Sequence, residues 1–210
     1  MGKDVNINVS NGTKKRGRPR AFDGEAALNA AVEVFWAKGF ERASLDDLTQ
    51  AMGINRPSLY AAFGDKKALF VRALGHYGLG LGSKGIKAFD EEPDINAAVT
   101  AFLTVSLQLQ TRDGDCAKGC LISNCAAPLS GILPTVGDMV SAIESSTTQH
   151  LTQRFEQEKA GCALSKDFPS AERAVLLSDM LHAQAHRART GASRSALKAQ
   201  IPMRVDAVLR

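Results

Sequence analysis

The stretch that decides the fold is residues 44–66, SLDDLTQAMGINRPSLYAAFGDK. Its local signals predict two short helices joined by a tight turn. Ser44 is a favourable N-cap residue, and the apolar residues after it recur at helical spacing. Gly53 can adopt the positive φ that ends the first helix. Asn55 can cap a second helix that carries Pro57 in its first turn, where the missing N–H costs little.

Two short helices joined by a glycine-containing turn of three to four residues form a helix-turn-helix motif. In this motif the first helix lies across the DNA backbone and the second enters the major groove. The same pattern also occurs as an ordinary helical hairpin inside a core. The spacing alone therefore leaves both interpretations open.

Further elements extend the motif on both sides. A predicted helix ending in FWAKGF comes first, and ERASLDDLTQAMGINRPSLYAAFGDKKALF follows it. With these elements, the run from about Ala21 to Val71 resembles the TetR family of bacterial transcriptional repressors. The resemblance is strong over about a quarter of the chain; elsewhere it extends to length and helical layout. It implies a three-helix DNA-reading domain, a long fourth helix, and a helical domain that binds an effector and dimerises.

Apolar periodicity predicts an all-α protein, since no stretch carries a strong strand pattern. Beyond the motif, helices are predicted at 24–38, from 66, at 95–110, 119–129, 134–159, 170–189 and after Ser193, with a break at Pro202. The predicted domains are a flexible basic arm at 1–20, a helix-turn-helix domain at 21–70, and an effector-binding and dimerisation domain at 71–210.

Five glycines fall within eleven residues of the predicted fourth helix, at positions 75, 78, 80, 82 and 85. Each glycine inside a helix costs about 0.5–1 kcal/mol relative to alanine. The stretch predicts either a hinge between the two domains or a site of close helix packing.

The first twenty residues hold six basic side chains and one aspartate, a net charge of +5, whereas the whole chain carries +4. The excess positive charge therefore sits in one arm, which can displace counterions from DNA phosphates. Arg16, Arg18 and Arg20 flank a Gly and a Pro, and such a narrow element can follow a minor groove. The alternative is a solubilising tail.

Composition limits the other classes of function. The hydrophobic fraction of 44% is sufficient for a packed core, and no apolar run is long enough to span a membrane. The first residues lack a secretory signal, so a cytoplasmic location is expected. Four unevenly spaced cysteines do not predict a disulfide framework.

Several side chains of the motif are expected to contact DNA. Arg56 can donate two hydrogen bonds to guanine or to a phosphate. The resemblance implies that Tyr60 and Lys66 contact phosphates. The expected contacts, apart from the three arginines of the arm, are Ser44, Thr49, Arg56, Pro57, Ser58, Tyr60 and Lys66.

The effector is expected to be a small, mostly apolar molecule held among the predicted helices from 95–110 to 170–189. In addition, Gly119-Cys120-Leu121-Ile122 resembles a Gly-Cys-Leu-Leu motif of a TetR subset, some of whose members sense electrophiles or oxidants through the cysteine. Cys120 would then need a lowered pKa, favoured by a helix N-terminus and by Lys118. The alternative is that this cysteine fills the core. The sensing candidates are Phe102, Cys116, Cys120, Cys125, Met139, Ile143 and His182.

The leading hypothesis is a homodimeric repressor that leaves a palindromic operator when an effector binds. The resemblance implies that the two C-terminal helices pair the two copies. The alternative within this class is a regulator switched by Cys120. His182 and His186 share a helix face, but no third ligand is placed by spacing, so no metal or cofactor is expected. No catalytic motif is found, and the chain is predicted not to be an enzyme.

Overall fold

The computed structural model describes residues 23–113 and 117–210, among which the regular elements are all helices and no strand occurs. The elements in order are α1 Gly24–Arg42, α2 Leu45–Met52, α3 Arg56–Phe63, α4 Lys66–Leu79, α5 Lys84–Glu91, α6 Ile95–Gln110, a π-helical turn Ile122–Ala126 with a 3-10 turn Ala127–Leu129, α7 Pro134–Ala160, α8 Ser170–Arg189, α9 Arg194–Lys198 and α10 Ile201–Leu209. The all-α expectation is confirmed. Across the described residues, no helix has the length and apolarity needed to cross a membrane.

Local capping explains why the first helices begin and end where they do. The Ser44 hydroxyl accepts a hydrogen bond from the Asp47 N–H, and the Asp47 carboxylate accepts one from the Ser44 N–H, both at 3.0 Å. Gly53 ends α2 with φ at 66°, and the Asn55 side chain accepts from the Ser58 N–H at 2.8 Å. The predicted helix-turn-helix is therefore confirmed as local structure. Helix α1 continues beyond its predicted end, with a kink at Gly39.

The first hydrophobic core is built on α1 and α4. The Phe35 and Phe70 rings lie 4.8 Å apart, and the Trp36 and Tyr77 rings meet edge to face at 5.0 Å. This core also takes in residues from the π-helical turn and from the start of α7, up to Val140. It thus crosses the predicted domain boundary near residue 70, and that division remains a prediction.

A second core joins α5, α6, the C-terminal half of α7, and α8 to α10. Its aromatic residues are Phe89, Phe102, Phe155 and Phe168. The C-terminal helices, which are predicted to pair two copies of the chain, also contribute to this core. Four of their apolar residues are buried within the chain, namely Leu197, Ile201, Val205 and Val208.

The glycine-rich stretch contains a turn and a site of close helix packing, whereas a hinge between the domains stays a prediction. Helix α4 runs through Gly75 and Gly78 to Leu79, and the chain then turns over residues 80–83 before α5 begins. Gly85 lies so close to Ser106 and Phe102 of α6 that it leaves no room for a Cβ. The sequence analysis missed α5 altogether.

One further prediction is corrected. The segment predicted as a helix from residue 119 is non-helical up to Cys120 and then forms the π-helical and 3-10 turns. Helix α8 begins at Ser170 as predicted, and Pro169 holds the N-cap position. The predicted break at Pro202 is confirmed, since α9 ends at Lys198 and the proline lies in the first turn of α10.

Replacing Gly53 by alanine should destabilise the protein by about 1–2 kcal/mol, because an L-residue is strained in the left-handed conformation. No atom lies within 4 Å of a Cβ added there, so backbone strain alone is tested. The measurement is the midpoint of urea unfolding. Gly24→Ala is the control, since Gly24 lies in open space at the start of α1 without a positive φ. Equal midpoints for the two variants would contradict the prediction.

Candidate functional site

Helix α3 presents one face to the solvent. Leu59 and Phe63 are buried against the neighbouring helices, and this places Arg56, Pro57 and Tyr60 on the outside. Tyr60 is 50% exposed. The side chains predicted to read DNA from this helix are therefore accessible, as a helix that enters a groove requires.

Arg56 is held at the edge of this face by an ion pair. Its Nη2 and Nε lie 2.8 and 3.2 Å from Oδ1 of Asp46 on α2. Both side chains are largely exposed, and an exposed pair of this kind contributes at most about 1 kcal/mol. The guanidinium can therefore exchange the carboxylate for a phosphate or a guanine.

The remaining predicted contacts divide into accessible and enclosed groups. Ser44 is exposed, and its hydroxyl proton is free for a phosphate because the cap uses the oxygen as an acceptor. The Lys66 ammonium lies 3.3 Å from the Glu41 carbonyl oxygen and 4.6 Å from the centre of the Phe40 ring. Thr49 is buried, and its hydroxyl donates to the Leu45 carbonyl oxygen at 2.8 Å. The structure therefore does not bring Thr49 to the same surface.

Supporting contacts around α3 were not predicted from the sequence. Arg72 of α4 donates to the Ala62 carbonyl oxygen at 2.7 Å and lies over the Phe63 ring. Lys38 of α1 lies 2.6 Å from Asp47 of α2. The hydrogen bond from Lys38, together with that from the Ser44 N–H, lowers the pKa of Asp47 to about 2. The Arg72 and Lys38 contacts each join two helices, so residue spacing in the sequence does not predict them.

Arg16, Arg18 and Arg20 lie outside the described residues.

An ion cluster joins α1 to the segment after α6. Glu33 accepts from Arg112 at 2.5 Å and from Lys118 at 3.0 Å. The Arg112 guanidinium also lies 4.4 Å from the centre of the Trp36 ring. Burial raises the pKa of Glu33, but the bonds from the two cations outweigh it and lower the pKa overall. The carboxylate is therefore held in its charged form.

Cys120 lies next to this cluster. The Tyr77 hydroxyl donates to its Sγ at 3.7 Å, and its N–H donates to the Asn124 side chain at 2.8 Å. Lys118, expected to favour a Cys120 thiolate, is paired with Glu33 instead. Burial raises the pKa of the Cys125 thiol, which disfavours its reactive form. Cys116 lies outside the described residues.

A cleft of about 660 Å³ opens between α4, α5 and α7. Two of the predicted effector candidates, Met139 and Ile143, line it. Phe102 lies instead in the second core, and the structure does not bring His182 into this cleft. The lining residues are Gly75, Gly78, Leu79, Ser83, Ile86, Lys87, Met139, Ile143, Ser146, Thr147 and His150. The α4 and α5 walls were not predicted, because placing them requires knowing how α4 packs on α7.

The regular elements of the described residues are all helices, and the second helix of the helix-turn-helix is held by α2 and α4 while its outer face remains exposed. This arrangement defines a DNA-binding protein of the transcription-regulator class. Comparison with known proteins gives the family. Residues 27–73 match the family model described as bacterial regulatory proteins, tetR family. The chain is 32% identical over 184 residues to the transcriptional repressor ComR of Escherichia coli, covering 86% of each protein. It belongs to the TetR family and is a DNA-binding transcriptional regulator.

Two further similarities agree with this. BdcR, another E. coli transcriptional repressor, is 38% identical over 117 residues, which are 52% of this chain and 57% of that protein. A cysteine mutant of the TetR-family regulator CifR, solved with a 26-bp double-stranded operator DNA, superposes with a TM-score of 0.80 at 34% identity. That match covers 90% of this chain and 99% of the CifR chain.

Replacing Arg56 by alanine should weaken operator binding about tenfold or more while changing the affinity for random DNA much less, because a bidentate base contact discriminates by about 1–3 kcal/mol. The operator is first obtained by selecting bound sequences from random DNA, and affinity is measured by fluorescence anisotropy of labelled duplexes. Lys198→Ala removes the same charge from the exposed face of α9 and serves as the control. Equal losses on both DNAs would rule out base reading by Arg56.

Proposed function

We propose that the chain is a repressor that binds a palindromic operator as a homodimer and is released by a small-molecule effector in the α4–α7 cleft. The observation that carries this proposal is the position of α4. Its first half packs on α1 and α3, whereas its second half lines the cleft with Gly75, Gly78 and Leu79. One helix therefore contacts both the DNA-reading element and the candidate effector site.

On DNA, Arg56 would leave Asp46 and donate to a guanine or a phosphate. Pro57 and Ser58 would approach the bases from the first turn of α3. The Tyr60 hydroxyl and the Lys66 ammonium would contact phosphates, which position the protein but carry no sequence information. Two further groups complete the proposed interface, namely Ser44 at the start of α2 and the arm residues Arg16, Arg18 and Arg20.

Release would follow from different affinities of the effector for two conformers. A ligand that wedges α4 away from α7 would shift α3 through its contacts with α4, so that two recognition helices no longer match the operator spacing. Coupling free energies between sites are typically about 1–3 kcal/mol, equivalent to about 5–150-fold in affinity. This range sets the size of the effect expected on operator binding.

The dimer is proposed to form through the outer faces of α8 and α10. Val175 is 48% exposed and Met203 is 62% exposed, so each helix presents an apolar side chain that the chain itself does not cover. Partly buried Leu176, Met180 and Leu181 extend the apolar surface of α8. Two-fold pairing would place two α3 helices on successive major grooves. Light scattering that gives the mass of a single chain at micromolar concentration would contradict this assignment.

Gly78→Leu should produce a repressor that keeps its operator affinity but is no longer released. A Cβ at Gly78 would lie 3.6 Å from the Ile143 Cδ1, an ordinary contact, and the rest of the side chain would occupy the cleft. Helix propensity also favours the change, so stability should not fall. Operator binding is measured against a panel of small apolar and amphiphilic compounds. Loss of release should be at least about tenfold.

The control is Gly131→Leu, which places the same side chain in open space on an exposed turn. It should respond to the panel as the parent protein does. If Gly78→Leu is released at unchanged concentrations by every active compound, the cleft is not the effector site.

A second candidate function is a switch operated by Cys120. The contact that favours it is the Tyr77 hydroxyl on Cys120 Sγ, beside the Trp36 ring at the joint between α1 and α4. A group added to Sγ would displace Tyr77 and disturb that joint. The structural relative CifR, at 34% identity, was solved as a cysteine mutant.

If this switch operates, N-ethylmaleimide should abolish operator binding by the parent protein and leave Cys120→Ser bound. The Cys120 thiolate would add to the carbon–carbon double bond of the maleimide, which forms a carbon–sulfur bond, and the neighbouring carbon would take a proton from water. Mass spectrometry of the modified protein locates the adduct. Cys162→Ser is the control, because Cys162 is exposed and outside both cores. An unchanged response of Cys120→Ser would eliminate this thiol as the sensor.

A further inference from the structure

We propose that the α4–α7 cleft takes an amphiphilic organic carboxylate. Its apolar body would lie against Gly75, Gly78 and Ile143, and its carboxylate would lie between Lys87 and Thr147. This inference rests on the proposed effector role of the cleft and adds the chemical class of the ligand.

The order of contacts fixes which residues face each other. A Cβ at Gly75 would lie 4.0 Å from the Met139 Cε, and one at Gly78 would lie 3.6 Å from the Ile143 Cδ1. Further on, Asp90 of α5 lies 2.8 Å from His150, and the carbonyl oxygen of Glu92, just after α5, accepts from Arg154 at 2.8 Å. These contacts advance in the same direction along α7.

Lys87 precedes Asp90 by one helical turn, and Ser146 and Thr147 precede His150 by one turn. Because α5 and α7 run in the same direction here, Lys87 lies opposite Ser146 and Thr147. All three residues line the cleft. The cleft runs from an apolar end at Gly75 to a polar end at Lys87.

The apolar end is open because α4 carries glycine there. Gly75 and Gly78 expose a wall of backbone without side chains, and Ile86, Met139 and Ile143 supply apolar contacts around it. Leu79 stands at this cleft with 84% of its surface exposed. Covering such a side chain with an apolar ligand gains about 25 cal/mol for each Å² removed from water. A flat or linear hydrocarbon body fits this wall.

In the part of the chain that the structure describes, the polar end of the cleft offers hydrogen-bond donors but no unpaired carboxylate. Among the described residues, Lys87 forms no ion pair, and the hydroxyls of Ser146 and Thr147 form no hydrogen bond with another side chain or carbonyl. The acid at this end, Asp90, is already bonded to His150. One free ammonium and two hydroxyl donors suit a carboxylate, whose two oxygens accept hydrogen bonds. A ligand amine would instead meet the Lys87 charge.

The test measures binding by isothermal titration calorimetry for two matched series. One is naphthoate, naphthylmethanol and naphthylmethylamine; the other is octanoate, octanol and octylamine. At least one carboxylate should bind and lower operator occupancy, with its alcohol about tenfold weaker and its amine weaker still, because a charge-assisted hydrogen bond is lost.

Variants then locate the carboxylate. Lys87→Met should weaken carboxylate binding about tenfold and leave alcohol binding unchanged. Lys84→Met is the matched control, since Lys84 is an exposed lysine of α5 that does not line the cleft, and it should change neither. Gly78→Leu should abolish binding of both, because the leucine occupies the space of the hydrocarbon body.

Three results would overturn the inference. The first is that no carboxylate binds the parent protein at millimolar concentration. The second is that carboxylate and alcohol bind equally and Lys87→Met changes neither, which leaves the effector role of the cleft intact while removing the ligand class. The third is undiminished carboxylate binding by Gly78→Leu, which also removes the cleft as the site.

Discussion

The packing of α1 on α4 is the contact on which the rest of the molecule depends. Phe35, Trp36, Phe70 and Tyr77 are buried between the two helices. Burial of one such side chain stabilises a fold by about 1.5–3 kcal/mol, and an aromatic pair in favourable geometry adds about 0.5–1.5 kcal/mol. Because this core is continuous with the start of α7, the DNA-reading helices pack directly against later parts of the chain. Any displacement of α4 is carried by a tightly packed core rather than absorbed by a loose linker.

Polar contacts reinforce the same joint from outside. Glu33 of α1 is bonded to Arg112 and Lys118, and Arg112 also covers the Trp36 ring. These groups come from the segment that follows α6 in the chain. The joint is thus held by an apolar interior and a charged rim, and it connects α1 to the half of the molecule that contains the second core. Both apolar and ionic contacts therefore join α1 to that half.

The parts of the fold that could be predicted from the sequence are those fixed by neighbouring residues. Ser44 and Gly53 determine the two ends of α2, and Asn55 determines the start of α3, through hydrogen bonds that span four residues or fewer. Pro202 likewise marks a boundary because its ring excludes a preceding helical turn. Local chemistry of this kind is readable without knowledge of the tertiary structure.

What could not be predicted depends on contacts between distant residues. Helix α5 was missed because glycines around it weaken the helical pattern, whereas its position is fixed by packing of Gly85 on α6. The burial of Thr49 depends on how α2 rotates against its neighbours. The effector cleft was expected among later helices, since the α4 wall becomes visible only when α4 and α7 are packed together. The Asp46–Arg56 pair similarly joins two helices whose relative angle no spacing specifies.

Trp36 is the single tryptophan of the chain, and it lies fully buried between Tyr77 and Arg112. Fluorescence excited at the long-wavelength edge of the protein's ultraviolet absorption therefore originates from Trp36 alone, at the joint of α1 and α4. The cation over its ring and the edge of the tyrosine both influence the energy of its excited state. A change in emission wavelength or quenching would thus register movement of this joint directly, and the unlabelled protein carries its own optical probe of the step that links its two halves.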